Sequence, residues 1–115
     1  MSAMESAQER SARIAEIARI ATAACSAHPI VKKLYLFGSR ARGDFRPDSD
    51  YDFYAVLDYS IKPLTAAYLA AIEALEAAFE SHVDFVSGEV WPARDQTLKE
   101  EIERDKELVY DRDAQ

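Results

Sequence analysis

Leu36-Phe37-Gly38-Ser39-Arg40-Ala41-Arg42-Gly43-Asp44-Phe45-Arg46-Pro47-Asp48-Ser49-Asp50-Tyr51-Asp52-Phe53 begins in an apolar, strand-like run, breaks at a Gly-Ser pair and passes through an arginine-rich turn. It returns as a second apolar strand with carboxylates at positions 50 and 52. Residues i and i+2 of a strand point to one face, which predicts that Asp50 and Asp52 project side by side. Two carboxylates held that close repel unless a proton or a cation lies between them. Paired oxygen ligands suit Mg²⁺, which takes one or two carboxylates and shares its other positions with substrate phosphates. The Gly38-Ser39 turn offers backbone N–H groups and a hydroxyl as a cradle for such phosphates. The stretch therefore points to metal-dependent phosphoryl- or nucleotidyl-transfer chemistry.

Upstream, Ile30 to Phe37 is an apolar run bounded by Pro29 and Gly38, which reads as a buried strand. Before it, Ser6 to Ala27 reads as an amphipathic helix with Ile14, Ile17, Ala21 and Ala24 on one stripe. Arg10, Arg13, Glu16 and Arg19 are expected to face elsewhere. Either Ser6-Ala7-Gln8-Glu9 or Ser2-Ala3-Met4-Glu5 serves as its capping box, and His28-Pro29 ends it. Downstream, Tyr51 to Asp58 is the second strand, with Phe53, Ala55 and Leu57 on one face and Asp52, Tyr54 and Val56 on the other. Pro63 then opens a helix to about Glu80 whose stripe is Leu64, Tyr68, Ile72, Leu75 and Phe79.

Ser81 to Val86 reads as a third strand, in which Asp84 shares a face with His82 and Val86. A carboxylate in an apolar strand is costly unless it is paired, hydrogen-bonded or on a metal. His82 reads as a partly buried strand histidine with no assigned role. Pro92 opens a last helix carrying Leu98, Ile102 and a Glu100/Arg104 pair. Glu107 to Tyr110 adds an edge strand, and Asp111 to Gln115 is expected to fray. Trp91 and Tyr110 read as packing residues, and Asp44, Asp48 and Asp58 as solvated.

At 115 residues the chain is read as one domain, and its 49% apolar content argues against disorder. A net charge of −7 argues against a broad basic surface for nucleic acid, although Arg40, Arg42 and Arg46 gather in one loop. Cys25 is the only cysteine, so an intramolecular disulfide is excluded, and it reads as a small core residue. No apolar run has the length of a signal peptide core or a membrane span, which makes a cytoplasmic location the default expectation.

With these residues assembled, the chain resembles a minimal nucleotidyltransferase of the polymerase-β-like superfamily. Gly38-Ser39, ten residues, then Asp50-x-Asp52 is that family's signature, and Val83-Asp84-Phe85-Val86 stands where the family carries its third carboxylate. The resemblance spans roughly residues 30 to 110, with its signature in 36–86. It implies an α+β fold, a mixed β-sheet with helices packed against it, like the polymerase-β palm. It implies that Asp50, Asp52 and Asp84 bind two Mg²⁺ ions and form the catalytic set. Gly38 and Ser39 would hold the β/γ-phosphates of a nucleoside triphosphate, and Arg40 or Arg42 would add positive charge there.

Relatives that modify aminoglycosides or extend nucleic acids carry further domains that grip the acceptor. Stand-alone members are typically antitoxins beside a HEPN-domain toxin, to which they transfer AMP from ATP on a tyrosine hydroxyl. The same function is expected here. A binding module that covers its partner without catalysis, and an antibiotic-type enzyme acting on a small hydroxyl, are the competing readings.

Overall fold

The apolar run before Gly38 is one of the two inner strands of a mixed four-stranded sheet. The computed structural model describes residues 5–87 and 95–115. Strand β1 (Val31–Phe37) lies antiparallel between β2 (Tyr51–Leu57) and β4 (Glu107–Asp111), and β3 (Val83–Ser87) pairs parallel with the far side of β2. Parallel neighbours need a long crossover. Here it is the helix α3 (Leu64–Phe79). Among the described residues the remaining α-helices are α1 (Ala7–Cys25), the single turn α2 (Ser39–Arg42) and α4 (Gln96–Asp105). The α+β class expected from the sequence is the one observed.

Of the two candidate capping boxes, Ser6 to Glu9 is the one formed. The Ser6 hydroxyl accepts from the Glu9 N–H at 3.0 Å, and Glu9 Oε1 accepts from the Ser6 N–H at 3.1 Å. The helix closes at Cys25, two residues short of the expected end. Ile17, Ala21 and Cys25 of α1 join Leu34, Leu36, Phe53, Ala55 and Val109 of the sheet in one core. Burial pushes the Cys25 thiol up to about 12, in keeping with a small core residue. On α3 the buried positions are Ala71 and Leu75, with Ile72 only partly covered. The stripe thus runs through a small alanine rather than the larger isoleucine beside it.

Arg10 and Arg13 face away from that core but are not simply solvated. Arg10 donates to the Ala41 carbonyl at 2.9 Å, and Arg13 donates to the Arg40 carbonyl. Cations thus satisfy the last carbonyls of α2, which its single turn leaves without helical partners. Arg10 also pairs with Glu107 at 2.9 Å, tying α1 to β4.

Two expectations are corrected at the chain's end. The tail is held: Asp111 belongs to β4, and Arg112–Ala114 form a 3₁₀ turn. Arg112 donates to the Pro29 carbonyl at 2.7 Å and to Asp58 at 2.9 Å. Asp58 is accordingly paired rather than solvated, and hydrogen bonds from Ser60 and Arg112 hold its carboxyl well below the usual range. Tyr110 is buried as expected. Trp91 and Pro92 lie outside the described residues. Among the described residues no helix is long and apolar enough to cross a membrane.

Candidate active site

Gly38 ends β1 with φ +75°, a conformation that L side chains rarely adopt. Its carbonyl accepts the Ala41 and Arg42 N–H groups at 3.0 Å, and Gly43, with φ +105°, closes the turn onto the Ser39 carbonyl at 2.8 Å. Ser39 is the first residue of α2, and no side chain caps that helix. Its hydroxyl is therefore not diverted into capping.

The loop between α2 and β2 is organised by Arg40. This side chain is only 9% exposed, and its guanidinium donates to the Ser49 carbonyl at 2.9 Å and the Pro47 carbonyl at 3.3 Å. Its planar face lies 4.6 Å from the Phe45 ring centroid and 4.4 Å from that of Tyr51. Arg42 pairs with the buried Asp105 at 2.7 Å and with Asp44 at 3.2 Å. The hydrogen bonds of both arginines run to the chain's own carbonyls and carboxylates, and none of them runs to Asp50, Asp52 or Asp84.

Asp52 is the centre of the acidic group. It lies opposite Phe37 across the β1–β2 ladder and opposite Asp84 across the parallel β2–β3 ladder. A Cβ built on Gly38 would stand 2.2 Å from Asp52 Oδ2. Burial, a hydrogen bond with Asp84 and the charges of Asp84, Glu101 and Asp50 push the Asp52 carboxyl up to about 7. Asp50 lies one residue ahead of β2, not within it, and is exposed. Its charge is among those that act on the Asp52 carboxyl. His82 Nδ1 is 3.3 Å from Asp50 Oδ2 and 3.7 Å from Asp84 Oδ1. Ligand atoms of Asp50, His82 and Asp84 all lie within 4.8 Å of one another.

Beside the carboxylates opens a cavity of about 370 Å³, lined by Phe37, Asp52, Asp84, Phe85, Val86, Leu98 and Glu101. Sequence reasoning gave neither His82 nor Glu101 a part in this group. For His82 a signal existed, since the period of two placed it on the face of Asp84. Glu101 carried none: on its own helix it resembles any solvated acid.

Comparisons with known proteins identify the family. The family described as Polymerase beta, Nucleotidyltransferase matches residues 20–115. A Methanocaldococcus jannaschii protein named protein adenylyltransferase MJ1379 is 35% identical over 80 residues, which are 70% of this chain and 76% of that one. A nucleotidyltransferase structure from Sulfolobus solfataricus aligns with a TM-score of 0.54 at 26% identity, over 98% of this chain and 94% of its own. A toxin–antitoxin structure with AMP-PNP shares the fold at a TM-score of 0.61 and 19% identity, covering 82% of this chain and 73% of that chain. The class is thereby defined as a nucleotidyltransferase. Within that class, the chain belongs to the polymerase beta nucleotidyltransferase family.

Proposed function

We propose that this chain, acting as one domain over residues 1–115, is a cytoplasmic Mg²⁺-dependent protein adenylyltransferase. It moves AMP from ATP to a tyrosine hydroxyl of a HEPN toxin and so serves as that toxin's antitoxin. The observation that carries the reading is the β2–β3 register, in which Asp52 faces Asp84 beside the glycine turn. The name of the Methanocaldococcus jannaschii relative supports the protein-adenylylating chemistry.

The residues fit the divalent cations that such chemistry uses. Burial first, and then the neighbouring carboxylates, push the Asp52 carboxyl up, and a cation relieves the repulsive part of that shift. The absent side chain at Gly38 keeps room for the Asp52 carboxylate itself. Asp50, Asp52 and Asp84 would hold two Mg²⁺ ions, which when bound offset charge on the pyrophosphate and acidify the acceptor hydroxyl. Gly38 and Ser39 bind the β/γ-phosphates through the turn's N–H groups and the free hydroxyl. The acceptor oxygen bonds to the α-phosphorus as the α–β anhydride bond breaks and pyrophosphate leaves. Asp84, on the acceptor's side, takes up the hydroxyl proton.

The cavity suits a neutral aromatic acceptor. Phe37, Phe85, Val86 and Leu98 give it apolar walls, while Asp52, Asp84 and Glu101 supply an acidic end. Such a site accepts a phenol ring with its hydroxyl at the carboxylates and repels a polyanionic strand. Incubation with ATP, Mg²⁺ and the HEPN partner, read by intact mass, tests the proposal. An adenylyl-sized gain on the partner, lost with Asp50→Asn/Asp52→Asn, is expected. Full neutralisation by that double variant would instead favour the binding-module reading.

A further inference from the structure

His82 is the one group in the acidic cluster that carries nitrogen. It precedes β3, and its carbonyl accepts the Tyr51 N–H at 3.2 Å, which extends the β2–β3 pairing to the mouth of the site. That backbone bond fixes where its side chain departs, between Asp50 on one strand end and Asp84 on the other. The imidazole Nδ1 approaches both carboxylates, at 3.3 and 3.7 Å.

Three donor atoms arranged cis around one octahedral ion, each roughly 2.1 Å from it, are about 3 Å apart. The separation to Asp50, 3.3 Å, is close to that spacing, and the one to Asp84, 3.7 Å, is longer than it by well under an ångström. The remaining edge, Asp50 to Asp84, lies within 4.8 Å. All three side chains are about half exposed or more, so a rotation of either carboxylate closes it without disturbing the core. We propose that His82 is a metal ligand. Of the two cation positions proposed above, it turns the one shared by Asp50 and Asp84 into a mixed imidazole–carboxylate site that takes a first-row transition dication in preference to Mg²⁺, leaving the other to Mg²⁺. This rests on the metal-binding role proposed above for Asp50 and Asp84.

The selectivity follows from ligand chemistry. Mg²⁺ is a hard cation that takes oxygen donors, loses water reluctantly and gains little from imidazole. First-row transition dications bind imidazole well while still accepting carboxylates and phosphate oxygens. Replacing one water of an all-oxygen site by Nδ1 of His82 therefore raises transition-metal affinity and leaves Mg²⁺ affinity nearly unchanged. It also binds the acceptor-side carboxylate Asp84 and the loop carboxylate Asp50 to the same ion.

The test uses Mn²⁺ as probe, with the full-length chain and His82→Gln. Mn²⁺ binding is followed by loss of the free-ion paramagnetic resonance signal, and its ligands by nitrogen modulation of the pulsed spectrum. Expected for the wild type is saturable binding with the coupling of a directly bound imidazole nitrogen. His82→Gln should still bind Mn²⁺ but lose that coupling. Its Mn²⁺ affinity should fall by at least about tenfold, the low end of what loss of a metal-site partner costs. Mg²⁺ competition against Mn²⁺ should become correspondingly more effective. Because His82 is 61% exposed, the variant should fold, and an unchanged melting temperature checks this.

Saturable Mn²⁺ binding without nitrogen coupling would overturn the His82 assignment alone, leaving a plain histidine–aspartate contact and an all-oxygen metal site. Coupling that persists in His82→Gln would overturn it too, and would assign the signal to His28, the chain's other histidine. Absence of any saturable site would remove the metal role of Asp50 and Asp84 together with that of His82.

Discussion

A Cβ on Gly38 would lie 2.2 Å from Oδ2 of Asp52, so the glycine that opens the turn also makes room for the carboxylate across the ladder. The two features read separately from the sequence, a Gly-Ser break and an Asp-x-Asp strand, are thus one steric unit. Neither can be altered without affecting the other.

Gly38→Ala should therefore be damaging twice over. The left-handed φ of +75° opposes any L side chain, and the methyl displaces Asp52. A stability loss of about 1–3 kcal/mol is expected from the backbone strain. Denaturant unfolding measures that loss, and AMP transfer by the residual folded enzyme should be abolished. Wild-type turnover by the variant would contradict the close packing described here.

The acidic group should make the metal-free protein less stable as pH rises. The Asp52 carboxyl titrates at about 7 in the folded chain and near the ordinary aspartate value when unfolded. Between roughly pH 4 and pH 7 the folded state then holds more protons than the unfolded one, and stability declines upward through that window. Asp52→Asn should flatten the decline, and millimolar Mg²⁺ should oppose it by binding only the folded form. Melting temperature followed against pH, with and without Mg²⁺, checks both.

Arg40→Lys should fail to replace Arg40. A lysine keeps the charge but not the planar fork that reaches the Ser49 and Pro47 carbonyls, nor the flat face between Phe45 and Tyr51. Loss of charge-assisted hydrogen bonds and ring contacts predicts destabilisation of about 2–4 kcal/mol for Arg40→Ala. Arg40→Lys should recover less than half of it. Urea unfolding of the three proteins decides the point.

Leu98→Trp should fill the cavity beside Asp84 and block the acceptor while sparing ATP. Nucleotide binding is expected to stay within about twofold of wild type, since Gly38 and Ser39 do not line that cavity. Transfer to the partner should fall by at least tenfold, in line with the cost of misplacing a reactant by about an ångström. Equal loss of both functions would place the nucleotide, not the acceptor, in the cavity.

Much of this protein was legible in local patterns. The period of two in Tyr51–Leu57, the capping box at Ser6, the helical stripe around Leu75 and the signature spacing from Gly38 to Asp52 are properties of neighbouring residues, and they carried into the fold. They also sufficed for the α+β class and for the family. What they could not contain was who meets whom across strands. Only the tertiary structure decided that Asp84 lies opposite Asp52, that His82 stands between Asp50 and Asp84, and that Glu101 turns toward the same cavity. The same holds for Arg40 folding inward onto its own loop and for Arg112 fastening the tail to Asp58. The physical reason is that periodicity and propensity act over a turn or a strand, whereas a carboxylate's charge state and a cation's partner depend on groups brought close by long-range packing. Side chains of one type can be alike in sequence and opposite in use: Arg40 holds a loop, Arg42 neutralises Asp105, and only the packed chain tells them apart.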